Sequence, residues 1–154
     1  MSKNLPLSEL SRPLIVERVS RKGSHEHIVA DPAELAGLAK RFAIPALHSL
    51  DARFLSMPWR GGGLKVTGTI IVDVEQISVV SLEQFRIAKT FQVLRYFLPP
   101  KLLVDAVEDD ADPIENGEID LGEIAAETLG LELDAYPRKA DEAFVEPDES
   151  APKE

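Results

Sequence analysis

Residues 66–85, VTGTIIVDVEQISVVSLEQF, decide the fold of this 154-residue chain, because they carry a long alternating pattern that ends in an apolar corner. From residue 64 to residue 75 most apolar residues share one parity and most polar residues share the other. This period of two predicts a half-buried antiparallel strand. Gly68, which has no side chain to pack, predicts a bulge or a close approach by another segment.

The alternation stops in the corner, residues 76–82, and resumes in a second long strand. The apolar residues that share one face of this second strand are Phe85, Ile87, Phe91, Val93 and Phe97. Two long strands joined by a short apolar corner are therefore expected to form the centre of the sheet.

Two further strand patterns precede this centre. Residues 14–19 and 25–30 flank a turn-forming segment at residues 21–24 and predict a β-hairpin. A third strand is predicted around residues 50–54, followed by a turn at residues 59–63. The three glycines of this turn do not predict a phosphate loop, because a strand pattern follows them and a phosphate cradle needs a helix N-terminus.

A first helix is predicted to begin after Asp31. Asp31 can cap it, Pro32 suits its first position, and Glu34 can reach back to complete a capping box. Its apolar stripe at helical spacing is Leu35, Leu38, Ala39 and Phe42. It is expected to end before Ile44, the residue that precedes a proline.

A second helix is predicted to begin at Asp120, after an acidic stretch at residues 105–118 that is expected to be a mobile loop. Glu123 is expected to complete an Asp version of the capping box, and Gly130 is expected to end the helix. Its apolar stripe is Leu121, Ile124, Ala125, Thr128 and Leu129. Residues 139–154 are rich in acids and prolines and are expected to be disordered.

Composition indicates one cytoplasmic domain. No stretch approaches the roughly 20 apolar residues that span a bilayer, and residues 1–10 lack the apolar run of a secretion signal. The chain has no cysteine, which excludes disulfides and thiolate zinc coordination. His25 and His27 share a strand face, but structural zinc needs four ligands, so a solvated strand edge is expected and no metal site.

Charge is distributed unevenly along the chain. Residues 1–104 hold 14 Lys and Arg against 9 Asp and Glu, whereas residues 105–154 hold 3 against 18. The net charge of −10 argues against general nucleic-acid affinity, which comes from neutralising phosphates. It leaves room for a local basic surface, and the candidates for RNA contact are Arg86, Lys89, Arg95 and Lys101.

A calcium-binding loop is the sharpest alternative that the motifs offer. Asp112, Asn116, Gly117, Ile119, Asp120 and Glu123 fall at positions 1, 5, 6, 8, 9 and 12 of an EF-hand loop. Position 3 is Ile114, which offers no side-chain oxygen, and no second loop is present to pair with it. No catalytic motif is found, and Glu83 is the only acid in residues 76–85, so an enzyme is not expected.

The corner also carries a family resemblance. Residues 76–85, QISVVSLEQF, resemble the first signature of the YceD family, and residues 117–123, GEIDLGE, together with Glu127 and residues 134–138, DAYPR, resemble its second. The signature positions are Gly68, Gln76, Ser78, Leu82, Glu83 and Phe85 in the first block, and Asp120, Leu121, Glu123, Glu127, Tyr136, Pro137 and Arg138 in the second. Both blocks occur in order and cover roughly residues 64–138.

This resemblance implies a non-enzymatic role, without cofactors, in accumulation or processing of 23S ribosomal RNA and in biogenesis of the large ribosomal subunit. Many family members carry Cys where Ser78 stands, so any role of that thiol is absent here. The implied partner is ribosomal RNA or a pre-ribosomal particle. The acidic charge of residues 105–154 separately suggests a basic ribosomal protein as a partner. An acidic protein-binding adaptor that never touches RNA stays open as an alternative.

The sequence thus predicts an α+β domain over residues 1–138 with an acidic tail over residues 139–154. The fold is expected to be an antiparallel sheet of four to five strands with two short helices. Its basic strand region is expected to approach RNA, and its acidic helix and tail are expected to engage a basic ribosomal protein.

Overall fold

Seven strands and three helices lie in residues 9–103 and 111–133, the residues that the computed structural model describes. The strands are β1 (Pro13–Ile15), β2 (Ser24–Val29), β3 (Ala46–Trp59), β4 (Gly63–Ile77), β5 (Gln84–Leu98), β6 (Ala111–Pro113) and β7 (Glu118–Asp120). The helices are α1 (Pro32–Arg41), α2 (Pro100–Leu103) and α3 (Leu121–Glu132), and a short 3-10 helix spans Val16–Arg18. This content confirms the predicted α+β class.

The main sheet has five strands in the order β2-β3-β4-β5-β6. Its first four strands are antiparallel to their neighbours, and the short β6 runs parallel to the end of β5. A separate antiparallel pair, β1 with β7, lies apart from this sheet. The predicted sheet of four to five antiparallel strands is confirmed, with β6 as a parallel addition.

The two faces of the sheet differ in what covers them. Alternate residues of β4, such as Val66 and Val72, are fully buried and belong to one core with residues of α1 and α3. We call this side the helix face. On the opposite side, the outer face, Ile71 remains 48% exposed and Leu94 57% exposed, so no described segment covers the middle of the sheet. Among the described residues, no helix has the length and apolar character needed to cross a membrane.

Gly68 marks a close approach between strands rather than a bulge. It lies opposite Phe54 on β3, and an added Cβ would lie 2.5 Å from a ring carbon of Phe54 and 2.6 Å from the carbonyl oxygen of Arg53. The register shift of the β3–β4 pair lies elsewhere, between Leu47 and Ser49. A glycine at this position therefore lets an aromatic side chain pack against the β4 backbone.

The predicted N-terminal hairpin is wrong. The turn at residues 20–23 forms, with the Gly23 amide donating to the Ser20 carbonyl, but the segments on either side of it do not pair. β1 pairs with β7 instead, and Val16–Arg18 is helical. This long-range pairing competes successfully because it lies beside the capped start of α3, where the Leu121 amide donates to the Arg12 carbonyl.

Helix α1 follows its sequence signals closely. The Asp31 carboxylate accepts from the Glu34 amide, the Glu34 carboxylate accepts from the Asp31 amide, and Pro32 occupies the first turn. The same Glu34 accepts two hydrogen bonds from the Arg12 guanidinium, at 2.7 and 3.0 Å. This donation by Arg12 holds the pKa of Glu34 below its usual value.

Helix α3 departs from its prediction in two respects. Asp120 caps it by accepting from the Glu123 amide, but the Glu123 carboxylate turns to Arg41 and leaves the capping box incomplete. Gly130 lies inside the helix and does not end it. A Cβ at Gly130 would lie 2.5 Å from the ring of Phe42, so this glycine serves close packing between α3 and the residues after α1.

Part of the acidic stretch at residues 105–118 is built into the sheet. β6 pairs with β5, Ile114 is buried, and Asn116 and Gly117 form the turn into β7. The sequence prediction of a loop over this stretch missed β6, because a strand of three residues is too short to carry an alternation signal. Residues 104–110 and the predicted tail at 139–154 lie outside the described residues.

The contact at Gly68 gives a stability prediction. Gly68→Ala should lower the free energy of unfolding by about 2 kcal/mol, because the new methyl group overlaps Phe54 and the β3 backbone. Chemical denaturation measures this change. Gly117→Ala is the control, since nothing lies within 4 Å of its Cβ position and only its positive φ costs energy, about 1 kcal/mol. Equal losses for both variants would contradict the packing role of Gly68.

The Arg12–Glu34 ion pair predicts an acid-dependent loss of stability. Because folding lowers the pKa of Glu34, the pair stabilises the protein above the unfolded carboxyl pKa of about 4.3 and loses this effect as pH falls through the folded value. Glu34→Gln should cost about 1 kcal/mol at pH 7 and progressively less below pH 4, measured as urea midpoints. Glu132→Gln, at the exposed end of α3, should leave the pH profile unchanged.

Candidate functional site

The first signature block forms a tight turn at the end of the β4–β5 pair. Ser78 is fully buried, and its Oγ accepts from the amides of Val80 and Ser81 at 3.0 and 3.2 Å. The Leu82 amide donates to the Ser78 carbonyl, and the Ser78 amide donates to the Glu83 carbonyl. Ser78 is therefore the centre of the turn, and its hydroxyl has a structural use that requires no metal.

The apolar side chains of this corner do not pack into the core. Leu82 is 78% exposed and has a positive φ of 64°, and Ile77, Val79 and Val80 are each about half exposed. Gln76 and Ser78 are the residues here that point inward. The first signature thus holds its turn through the Ser78 side chain and leaves Ile77, Val79, Val80 and Leu82 exposed.

The four basic candidates do not share one surface. Arg86 lies on the outer face, whereas Lys89 and Arg95 have the opposite parity and lie on the helix face of β5. Lys101 lies in α2, beyond the sheet. The prediction that these residues form a single basic patch is wrong, because successive side chains of a strand point to opposite faces of the sheet.

Two of these cations are held by neighbouring carboxylates. Arg86 donates from Nε and Nη2 to both oxygens of Asp73, each at 2.8 Å, which raises the pKa of Arg86 and lowers the pKa of Asp73. Arg95 donates twice to Asp112, at 2.7 and 3.1 Å, and once to Glu127 at 3.4 Å. Contact of the four candidates with RNA stays a prediction, and the charges of Arg86 and Arg95 are already partly compensated.

The second signature block begins at a carboxylate that several donors share. Asp120 accepts from the Ser11 hydroxyl at 2.9 Å, from the Arg12 amide at 2.7 Å and from the Glu123 amide at 3.1 Å. Leu121, the next signature residue, is buried in the core. Tyr136, Pro137 and Arg138 lie outside the described residues.

An acidic cleft lies on the helix face between β5, β6, β7 and α3, with a volume of about 460 Å³. Its carboxylates are Asp112, Glu115, Glu118, Asp120, Glu123 and Glu127, and Arg95 is the one cationic side chain among its lining residues. Glu115 and Glu118 are exposed and lie on the two sides of the β6–β7 turn. The cleft therefore presents excess negative charge to solvent.

The calcium alternative depends on three of these carboxylates. Asp112 is held by Arg95, Asp120 by the donors named above, and Glu123 by both terminal nitrogens of Arg41. Within residues 9–103 and 111–133 no three His, Asp or Glu side chains are grouped so as to hold one ion. The protein's own donors thus use the oxygens that an EF-hand would direct at calcium.

The outer face carries a contact between aromatic side chains that the sequence analysis missed. The rings of Trp59 and Tyr96 lie with centroids 4.6 Å apart at an angle of 43°, and the Arg60 guanidinium lies 4.6 Å from the Trp59 ring centroid. Lys65 lies opposite Tyr96 on the neighbouring strand. The strand alternation in the sequence could have placed these residues on the outer face. Their proximity to one another depends on the register of three strands, which the sequence pattern does not give.

The remaining outer-face charges lie toward the corner. His27 contacts Asp51 at 2.8 Å, and His48 contacts Glu75 at 3.1 Å. His25 and His27 share the outer face, as predicted, but the former lies among Thr and Gln side chains while the latter has a carboxylate partner. The two histidines thus have different surroundings.

A second cavity, of about 540 Å³, lies where the 3-10 helix meets the β3–β4 turn. Its lining is mainly apolar, with contributions from Val16, Pro58, Leu64 and Ile114. Among the described residues that line it, Glu17 is the one ionisable residue, so these residues offer no acid/base pair.

Comparisons with known proteins do not assign this chain to a family. No protein-family model matches the chain, and neither a curated protein nor a solved structure does.

The turn at Ser78 gives a prediction for the corner. Ser78→Ala should lower the free energy of unfolding by about 1–2 kcal/mol, because the amides of Val80 and Ser81 lose their buried acceptor. Thermal and urea unfolding measure the loss. Thr90→Ala, an exposed change on β5, is the control. A Ser78→Ala variant as stable as the control would show that the hydroxyl does not hold the turn.

Proposed function

We propose that this chain is a non-enzymatic cytoplasmic factor that supports accumulation of 23S ribosomal RNA and biogenesis of the large ribosomal subunit. The proposal starts from the resemblance of residues 76–85 and 117–138 to the two YceD signatures. It is supported by a fold whose two sheet faces present different charges to solvent.

The acidic cleft is the observation that carries the proposal. Residues 111–133 hold seven Asp and Glu and no Lys or Arg, and six of these acids line the cleft. A Lys- or Arg-rich segment of a ribosomal protein is complementary to such a surface, and complementary charge raises the rate of encounter and fixes orientation. Glu115 and Glu118 are exposed at its rim, where a partner meets them first.

Binding fits this cleft better than chemistry does. Asp112, Asp120 and Glu123 already accept hydrogen bonds from protein donors, which fixes their positions. A general acid or base needs a pKa tuned towards neutrality and an open path to a reacting atom. We therefore assign the cleft to recognition of a cationic partner.

An acidic adaptor that binds protein and never touches RNA is the second candidate. The observation in its favour is that Arg86 and Arg95, two of the basic candidates, are held by Asp73, Asp112 and Glu127. Pull-down from cell extract with and without ribonuclease separates the two candidates. Capture of ribosomal proteins that survives ribonuclease unchanged favours the adaptor.

Depletion of the protein should lower the ratio of 23S to 16S ribosomal RNA and accumulate immature large-subunit particles on sucrose gradients. Wild-type protein should restore both. The double variant Glu115→Lys/Glu118→Lys should fail to restore them and should capture at least tenfold less basic ribosomal protein, because the cleft rim becomes positive.

Glu132→Lys is the control for each single charge reversal, since it replaces one Glu by Lys on α3 at an exposed position that does not line the cleft. It should behave as wild type. Normal 23S levels after complete depletion would overturn the proposed function. Full rescue by the double variant would show that the acidic cleft has no part in that function.

A further inference from the structure

We infer that the outer face of the sheet, at the end that carries Trp59 and Tyr96, binds single-stranded RNA. This inference rests on the proposed function and names the surface through which the factor would meet its RNA. The residues proposed to contact RNA are then a different set from the β5 cations, and they lie on the face opposite the acidic cleft.

The aromatic contact provides a stacking platform. Trp59 is the last residue of β3, Tyr96 lies near the end of β5, and both rings are partly exposed. Gly63 lies opposite Trp59, and a side chain there would collide with the backbone carbonyls of Trp59 and Phe97. Exposed aromatic rings on an open antiparallel sheet are a common means of stacking unpaired RNA bases.

Cations surround this platform. Lys65 lies directly across from Tyr96, and Arg60 stacks on Trp59. Farther along β3, the side chain of Arg53 is 72% exposed and contacts Asp51 at 3.5 Å. The turn with Arg21 and Lys22 lies at the same edge, because Gly23 packs against Met57. A phosphate backbone that follows the platform would therefore pass several positive charges.

The acids of this face lie toward its other end. Asp51, Asp73 and Glu75 are the outer-face carboxylates of β2 to β5 within the described residues, and each contacts a basic side chain. Lys65 and Asp73 are eight residues apart on one strand, a separation of roughly 26 Å. This exceeds the Debye length of about 8 Å, so Lys65 is screened from Asp73. Arg53, in contrast, lies beside Asp51, which partly compensates its charge.

Between the two ends lies a shallow depression of about 470 Å³ over Gly68. The side chains of His25, Thr67, Thr69 and Gln92 line it, and the Thr69 hydroxyl donates to the Gln92 side-chain oxygen at 3.1 Å. Such groups donate and accept hydrogen bonds with the edges of unpaired bases. Leu55 also lines the depression, which lies on the same face as the platform and Lys65.

Trp59 is the only tryptophan of the chain, so its fluorescence reports on the platform directly. Titration of the full-length protein with a mixed-sequence single-stranded RNA should change Trp59 emission saturably, with the same midpoint as the anisotropy of the labelled RNA. A duplex of the same sequence should bind more weakly, because its bases are stacked and unavailable. Equal affinity for duplex and single strand would overturn the stacking model.

Lys65→Glu and Arg53→Glu should each raise the Kd at least tenfold at 0.15 M salt, and Tyr96→Leu about five- to tenfold. Lys40→Glu makes the same charge change on exposed α1, away from this face, and should bind like wild type. Circular dichroism and unfolding midpoints confirm that each variant folds. Equal Kd values for Lys65→Glu and Lys40→Glu would overturn the inference.

The outcomes separate this inference from the proposed function. RNA binding without any change in Trp59 emission, or no RNA binding at all, overturns the inference while the depletion phenotype still supports the biogenesis role. Normal 23S levels after depletion overturn the proposed function while RNA binding at Trp59 is retained. Specific capture of a protein segment at this face, without RNA, also overturns the inference.

Discussion

The carboxylate of Asp120 is the constraint on which the arrangement of the helix layer depends. It joins Ser11 and Arg12, more than 100 residues away in the sequence, to the first turn of α3. Gly122 allows the backbone at Leu10 to lie directly on the helix, so Leu10 becomes fully buried. Because β1 and β7 pair beside this point, one cap fixes both the N-terminal segment and α3.

The same junction extends to α1 through arginine. Arg12, positioned by Asp120, reaches Glu34 in the capping box of α1, and Arg41 at the end of α1 reaches Glu123 in the first turn of α3. Both pairs are partly buried, and the two bonds of each guanidinium set the orientation of one helix against the other. The helix face is thereby closed, and the outer face is left to solvent.

Sequence patterns predicted the elements whose signals are local. The alternation of β4, the capping box at Asp31 and the cap at Asp120 all have the expected structure, because neighbouring residues decide them. The pairing of β1 was not predictable in this way, since its partner lies about 100 residues away. That Arg86 and Lys89 lie on opposite faces could have been predicted from the sequence, because they are three residues apart on one strand. The contact of Trp59 with Tyr96 could not, because it depends on the strand register.

The net charge of −10 does not by itself determine whether this protein binds RNA. The acidic cleft includes side chains of α3 on the helix face, while Lys65 and Arg53 lie on the outer face. A sheet and the layer packed on it are about 10 Å apart, which already exceeds the screening length at physiological salt. Charges on the two faces therefore influence each other weakly, and a strongly acidic chain can present a basic surface to an anionic partner.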